Sequence, residues 1–209
     1  MENIKRISPV AFNARAIKTE IRDNWAVTLE YHAEGQGPYL TDLSHRTRWD
    51  IQDGNLDEIK PWEIAISETP GTSVWEKGFL INRMNRTQAS VWHLAGETPD
   101  APDSPAYTET TDATMFVALT GRETFAIAEK LTSLDFADPD RKAPFLLQGP
   151  IAHIPCQIVT FAQNGEHCGI LFTCSRGYAQ SMIGAILEAG EEFGLRPTGE
   201  TAFSKFLTR

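Results

Sequence analysis

Residues 110–131, TTDATMFVALTGRETFAIAEKL, constrain the fold more than any other stretch. The apolar run 115–119 predicts a buried strand, and Gly121 predicts a tight turn directly after it. Thr120 and Glu123 have the spacing of a capping box, so we expect a helix to begin there. The apolar side chains of that helix recur at helical spacing and predict one buried face: Phe125, Ile127, Ala128 and Leu131.

A second set of elements follows after residue 150. Residues 154–161 and 169–174 are strand-like and flank the turn Asn164-Gly165. Ser175 is a suitable N-cap for the next helix, Gly194 suits the left-handed residue that ends it, and Pro197 prevents its continuation. The apolar residues of this helix also share a face: Ala179, Met182, Ile183, Ile186, Leu187 and Phe193. The pattern predicts a βαββα half over residues 113–200.

Short strands dominate the first part of the chain, residues 1–95. Residues 25–29 alternate between apolar and polar, and the turn 35–38 separates them from the strand-like stretch 39–51. Residues 62–67, 78–84 and 88–94 predict a meander whose last two strands are joined by a hairpin turn at 84–87. The connection 96–112 contains three prolines and five acidic residues, which predicts a surface segment held only by Tyr107.

Strand patterns interspersed with amphipathic helices predict an α+β protein in which helices cover one face of a mixed or antiparallel sheet. Each half of the chain is too short to bury a core of its own. We therefore expect residues 1–209 to form a single domain.

The composition excludes several classes of function. A net charge of −9 repels phosphate backbones, so nucleic acid is not an expected partner. No run of apolar residues is long enough to cross a membrane, and residues 1–12 lack the apolar core of a secretory signal. Three cysteines without framework spacing indicate a reduced, cytoplasmic location.

Two groups of reactive side chains resemble sites but have simpler interpretations. The first contains potential zinc ligands but lacks the paired C-x-x-C spacing of a structural zinc site: His153, Cys156, His167, Cys168 and Cys174. Cys156 alternates with Ile154 and Ile158 on a strand and is interpreted as a small core residue. His167 and Cys168, as neighbours on a strand, point to opposite faces and do not form a thiol–imidazole pair. We expect neither a metal nor a catalytic residue in this chain.

One basic cluster and one apolar cluster are candidates for contacts with other molecules. Arg83, Asn85 and Arg86 concentrate positive charge that suits a carboxylate or phosphate, or else form a solvated hairpin tip or a cross-strand salt link. Phe203, Phe206 and Leu207 are predicted interface anchors, because a terminal segment that a partner orders needs apolar side chains.

The C-terminal half resembles a known family. Asp112, the strand 116–119, Gly121, the helix ending at Leu131, and Asp135 are similar in order to a pattern in the gamma subunit of heterotetrameric sarcosine oxidases. The next block, HIPCQIVTF to GILFTCSRGYAQSMIGAILEAG, resembles that subunit's following segment. The phrase LEAGEEFGLRPTGE and the sequence DLSH at 42–45 are similar to the wider superfamily of the folate-binding T-protein of glycine cleavage.

The resemblance implies the fold of the N-terminal region of the T-protein. It also implies a non-catalytic subunit that binds the large oxidase subunits of a hetero-oligomer in N-methyl amino acid and one-carbon metabolism. Glu166 is the nearest counterpart of the acidic residue with which T-proteins contact folate, although its spacing to the next glycine differs by one residue. The alternatives are a stand-alone protein that binds tetrahydrofolate or transfers an aminomethyl group, and a homo-oligomeric structural protein.

Overall fold

The computed structural model describes residues 4–208, which form strands and α-helices joined by loops and short 3-10 helices. The strands are β1 (Ala16–Arg22), β2 (Trp25–Tyr31), β3 (Tyr39–Asp42), β4 (Arg48–Gln52), β5 (Ser73–Glu76), β6 (Phe79–Arg83), β7 (Gln88–His93), β8 (Tyr107–Glu109), β9 (Thr114–Thr120), β10 (Phe145–Ile151), β11 (Ile154–Asn164), β12 (His167–Ser175) and β13 (Arg196–Thr198). The α-helices are α1 (Thr124–Glu129), α2 (Ala179–Gly190) and α3 (Glu200–Leu207).

A six-stranded sheet with the order β10-β11-β12-β9-β3-β13 forms the centre of the molecule. Its neighbouring strands are antiparallel except β13, which runs parallel to β3. Thr120 at the end of β9 lies opposite Gly169 on one side and Tyr39 on the other. The mixed sheet and its helices confirm the predicted α+β class.

Both faces of the central sheet are covered, and the sequence of β9 shows why. Met115, Val117 and Leu119 lie in a core shared with α1 and α2. Phe116 and Ala118 point the other way, into a second core that contains side chains of β6, β7 and α3. Because alternate residues of a strand face opposite sides, a continuous apolar strand fits only between two covered faces.

A second, antiparallel sheet has five strands in the order β5-β6-β7-β4-β8. Leu80 and Trp92 on one of its faces contribute to the core beside the central sheet. Ile51, Ile81 and Val91 lie in a third core with the segment that follows β4. The molecule is therefore layered from helices through two sheets to an outer segment of loops and 3-10 helices.

The β1–β2 hairpin is a separate two-stranded sheet, whereas α3 belongs to the main body. Trp25 and Val27 of β2 are buried, but six of the seven residues of β1 are exposed. Helix α3 packs against β2 and inserts Phe203 between the two larger sheets. The hairpin thus packs on the body mainly through β2, and β1 reaches it only at Arg22, which binds Glu200 of α3.

Several local predictions are confirmed and others are wrong. The turn at Gly165 has a positive φ of 55°, and Gly194 is left-handed with φ 72° at the end of the α2 segment. Residues 39–51 are not one strand but two, β3 and β4, which belong to different sheets. Residues 62–67 are not a strand, because a 3-10 helix at Pro61–Glu63 begins the segment and Trp62 has φ 46°.

The capping box is also wrong. Thr120 is the last residue of β9, and α1 begins four residues later without a side-chain cap. Thr124 donates its hydroxyl to the carbonyl oxygen of Gly121 at 2.7 Å instead. Ser175 likewise makes no capping bond and precedes a 3-10 helix at Arg176–Tyr178. The strand β10 was missed, so the C-terminal half is not a simple βαββα unit.

Candidate functional site

A pocket of about 320 Å³ lies where β9 ends beside the β11–β12 turn. It brings together Glu166 and Phe206, which the sequence places 40 positions apart, with Tyr39, Gly121 and Lys205. We call it the Glu166 pocket. Its volume lies at the lower end of the range found for small-molecule sites.

Internal contacts support the walls of the Glu166 pocket. The Tyr39 hydroxyl donates to the carbonyl oxygen of Gly35 at 2.8 Å. Gly121 has φ 122°, and a Cβ there would lie 2.9 Å from the Cα of Pro38. The ring of Phe206 lies 4.2 Å from that of His167, centroid to centroid. These contacts hold two aromatic rings at fixed positions, which suits a flat ligand.

The charged groups at the rim are mostly solvated. The Glu166 side chain is 81% exposed and lies 3.5 Å from the guanidinium of Arg122, which is also exposed. Glu34 is engaged already, since its Oε1 accepts from the backbone N–H of Tyr31 and of Gly199. An exposed carboxylate contributes little to affinity by charge alone. The pocket offers stacking surfaces and polar contacts, and its lining contains no cysteine or histidine to act as a nucleophile or base.

A buried ion cluster surrounds Glu200 at the first turn of α3. Its carboxylate accepts from His45 Nε2 at 2.8 Å, from Arg46 Nη2 at 2.5 Å and from Arg22 through both oxygens, at 3.0 and 2.9 Å. Burial alone would raise the pKa of Glu200, but the hydrogen bonds from His45 and Arg22 and the nearby charges outweigh burial and lower it. Burial lowers the pKa of Arg46. The cluster fastens α3 to β1 and to the loop after β3.

A second buried cation, Arg48, joins the two large sheets. Its guanidinium donates to the backbone carbonyls of Ser44, Arg46, Thr111 and Thr114 at 2.5 to 3.3 Å. It also lies 5.0 Å from the centre of the Phe116 ring. Burial lowers the pKa of Arg48 to about 9. All of these contacts are internal, so Arg48 is a structural group.

Sequence reasoning missed both buried clusters. The available signal was the run His45 to Arg48, which places three basic residues between two apolar strands. Charged residues in such a position need partners when they are buried. The partners of Arg22 and His45 come from residue 200, and no local pattern identifies them.

The predicted arginine site and the predicted anchors have internal partners. Arg83 is buried and donates to Asp57 Oδ1 at 3.0 Å, a salt link to a 3-10 helix and not the cross-strand link that was the alternative. Phe203 is only 1% exposed, and Phe206 is buried beside it in the core between the sheets. Leu207 is partly buried. Because Phe203 has no surface left to offer, a partner cannot use it as an anchor while α3 is in place.

The three cysteines are free and buried. The hydrogen bond with Cys174 and burial raise the pKa of Cys156. Burial raises the pKa of Cys168, whose Sγ donates to the carbonyl oxygen of Gly165. Buried thiols with a raised pKa, as at Cys156 and Cys168, are poor nucleophiles, whereas the hydrogen bond with Cys156 lowers the pKa of the buried Cys174. Within residues 4–208, no three histidine, cysteine or acidic side chains converge as metal ligands.

Five large apolar side chains among residues 4–208 are exposed. Ile4, Ile7, Ile17 and Ile21 are each more than half exposed, as is Tyr178. Arg176 donates to the carbonyl oxygen of Ile7, so the helix start that carries Tyr178 lies next to the N-terminal segment. The alternation of Ile17, Thr19 and Ile21 was visible in the sequence but was not interpreted. Exposed apolar groups that lie next to each other, as Ile7 and the segment of Tyr178 do, are typical of protein interfaces.

Comparisons with known proteins identify the fold. No family model matches the sequence, and no curated protein does. A chain of the heterotetrameric sarcosine oxidase from Corynebacterium sp. U-96, solved in complex with pyrrole 2-carboxylate, is 12% identical with a TM-score of 0.62. The match covers 77% of this chain and 89% of that one.

The glycine cleavage system aminomethyltransferase T from Bartonella henselae is 14% identical with a TM-score of 0.58. This match covers 90% of the present chain but 57% of the aminomethyltransferase. At such low identity the two likenesses establish a shared T-protein-like fold and nothing finer.

Among the described residues, no helix is long and apolar enough to span a bilayer.

Proposed function

We propose that this chain is a non-catalytic subunit of a hetero-oligomeric enzyme that oxidises N-methyl amino acids such as sarcosine. The observation that carries the proposal is the extent of the match to a chain of the heterotetrameric oxidase, 89% of which is covered. The same fold corresponds to only 57% of the aminomethyltransferase. In size, this chain is therefore comparable to a whole subunit of the oxidase and to a part of the longer transferase.

The chemistry of the described residues supports a structural role. The buried Arg48, the largely buried Arg46 and the partly exposed Arg22 are all bound by internal acceptors. The lining of the Glu166 pocket contains no cysteine or histidine, and all three cysteines are buried. The exposed Ile4, Ile7 and Tyr178 provide apolar surface for a protein neighbour.

The test is co-purification of the tagged full chain from cells that express it naturally. We expect a large flavin-bearing chain to co-elute, and sarcosine-dependent oxidation to occur in the complex but not in the chain expressed alone. An unrelated protein with the same tag serves as the control. Turnover of sarcosine by the isolated chain, or recovery without any flavoprotein, would contradict the proposal.

A second candidate function is binding of tetrahydrofolate in the Glu166 pocket. The observation in its favour is that Glu166 borders a cavity whose walls include the rings of Tyr39 and Phe206. Flat heterocycles stack on aromatic rings, and a carboxylate can accept from pterin N–H groups. Calorimetric titration with a reduced folate tests it: binding should weaken in Glu166→Gln but not in the exposed helix variant Glu188→Gln. Absence of heat at millimolar ligand removes this candidate.

A further inference from the structure

The outer edge of β1 is unusually open. β1 pairs with β2 along one side, and no other strand within residues 4–208 pairs with its opposite side. Six of its seven residues are exposed, and Ile17 and Ile21 are 57% and 73% exposed. Natural proteins usually protect such an edge, because its unpaired N–H and C=O groups can bind another strand.

The sequence of this edge is self-complementary. From Ile17 to Ile21 it reads Ile-Lys-Thr-Glu-Ile, with Thr19 at the centre. In an antiparallel pair of identical strands centred on Thr19, Ile17 lies opposite Ile21 of the second copy. Lys18 then lies opposite Glu20, and Thr19 lies opposite Thr19. Side chains directly opposite each other share one face of the sheet, so apolar groups meet apolar groups and opposite charges meet.

We propose that this chain forms a two-fold symmetric dimer in which β1 pairs antiparallel with β1 of a second copy. The two hairpins then form one four-stranded sheet. A two-fold interface uses the same surface on both copies, and the palindromic arrangement of charge meets this requirement. The proposal is independent of the proposed function.

The charges identify a second copy as the occupant. A lysine on an edge strand normally opposes pairing, because it places a charge against an incoming backbone. Here Glu20 stands at the position related to Lys18 by the two-fold axis. The Lys18 and Glu20 side chains are 60% and 43% exposed, so both can reach across the new pairing. An incoming strand pairs with both Lys18 and Glu20 only if it carries opposite charges at the same spacing, as a second copy of β1 does.

The geometry sets the expected strength. Pairing against β2 is irregular at Ile17 and Lys18, and such irregularities increase the local twist of a strand. The ladder between copies is therefore short, and the interface is smaller than that of a stable complex. We expect association in the micromolar range, visible as a dependence of mass on protein concentration.

Sedimentation equilibrium over a range of concentrations tests the proposal through charge reversal. Lys18→Glu and Glu20→Lys should each weaken dimerisation about tenfold, because each places two pairs of like charges opposite one another. The double variant, K18E with E20K, restores the complementary pairs and should return the dissociation constant to within about threefold of the original.

Matched controls change the same charges elsewhere. Lys142→Glu and Glu97→Lys alter exposed loop residues and should leave the dissociation constant unchanged. Thermal melting of each variant by circular dichroism checks that folding is retained. Restoration by the double variant also excludes an internal cause, since Lys18 beside Glu30 and Glu20 beside Arg22 remain mismatched in that variant.

Three results would overturn the proposal. The first is a monomeric mass at every concentration up to the solubility limit. The second is a dimer whose dissociation constant does not change in Lys18→Glu. The third is a loss of dimerisation in both single variants that the double variant does not reverse.

Discussion

Replacing the buried Glu200 with glutamine should destabilise the protein more than neutralising any single exposed charge. The carboxylate is 3% exposed and neutralises Arg46, which is 11% exposed, and Arg22, which is 35% exposed. Breaking a buried ion pair costs about 3–5 kcal/mol, whereas a pair at the surface is worth about 0.2–1 kcal/mol. Because one partner is largely buried and the other is not, we expect a loss of about 3 kcal/mol.

That loss converts into a measurable shift in melting temperature. The entropy of unfolding is about 2.1 cal/mol/K per residue, so a loss of about 3 kcal/mol lowers the melting temperature of this 209-residue chain by about 7 °C. Calorimetry or thermal melting by circular dichroism at neutral pH provides the measurement. Glu188→Gln, which removes an exposed helix carboxylate, is the control and should stay within about 0.5 kcal/mol of the original.

The pH dependence gives an independent check on Glu200. Its pKa in the folded protein is lowered from the ordinary value of 4.5. The stability that it contributes is therefore present above pH 4.5 and is lost as the pH falls toward the folded pKa. In that window, the advantage of the original over Glu200→Gln should shrink by about 1.4 kcal/mol per pH unit. A loss below about 1 kcal/mol at neutral pH, or a difference that stays constant between pH 6 and pH 3, would refute the reasoning.

Three further predictions concern single sites. Arg48→Lys should cost about 2–4 kcal/mol in urea unfolding, because an ammonium cannot reach all four carbonyl groups that the guanidinium binds; a loss within error of zero would contradict the structural role of Arg48. Gly121→Ala should cost about 1–3 kcal/mol, since φ is 122° and the new Cβ would meet Pro38; an unchanged midpoint would mean that the turn relaxes freely. The three buried cysteines should resist a thiol reagent in the native protein and react together on unfolding, and rapid native labelling of any one would contradict its burial.

Local chemistry allowed much of the fold to be predicted. Glycine adopts a positive φ without steric cost, so Gly194 could be predicted as the left-handed residue that ends a helix. Asn164-Gly165 could be predicted as a turn for the same reason. The buried strand predicted at residues 115–119 is confirmed as β9, whose two faces meet apolar layers. At the two glycine positions the residues themselves determine the backbone, so no distant contact is needed.

The failures occur where long-range contacts override a local pattern. Thr120 has the sequence of an N-cap, but pairing with Gly169 and Tyr39 holds its backbone in the sheet. Ile64 and Ile66 alternate like strand residues, yet their segment pairs with no strand among the described residues, and its side chains simply pack into the third core. Alternating burial requires an extended segment, and the sequence alone does not reveal whether a neighbouring strand is present.

The candidate site was predictable only in part. Glu166 was identified, and the structure places it at a pocket, but Tyr39 and Phe206 reach that pocket from opposite ends of the chain. The cluster around Glu200 joins residues 22, 45 and 46 to residue 200. The topology of the fold decides which of these distant residues meet, and a single sequence does not show those pairings.

The position of β3 has a consequence for synthesis on the ribosome. β3 lies between β9 and β13, so residues 39–42 acquire their neighbours only after residues 114–120 and 196–198 have been made. Arg22 of β1 waits equally long for Glu200. β3 and Arg22 must therefore leave the ribosomal tunnel before these distant partners exist, although β1 can already pair with β2. During that interval the open edge of β1 and its isoleucines are accessible to chaperones and to neighbouring nascent chains.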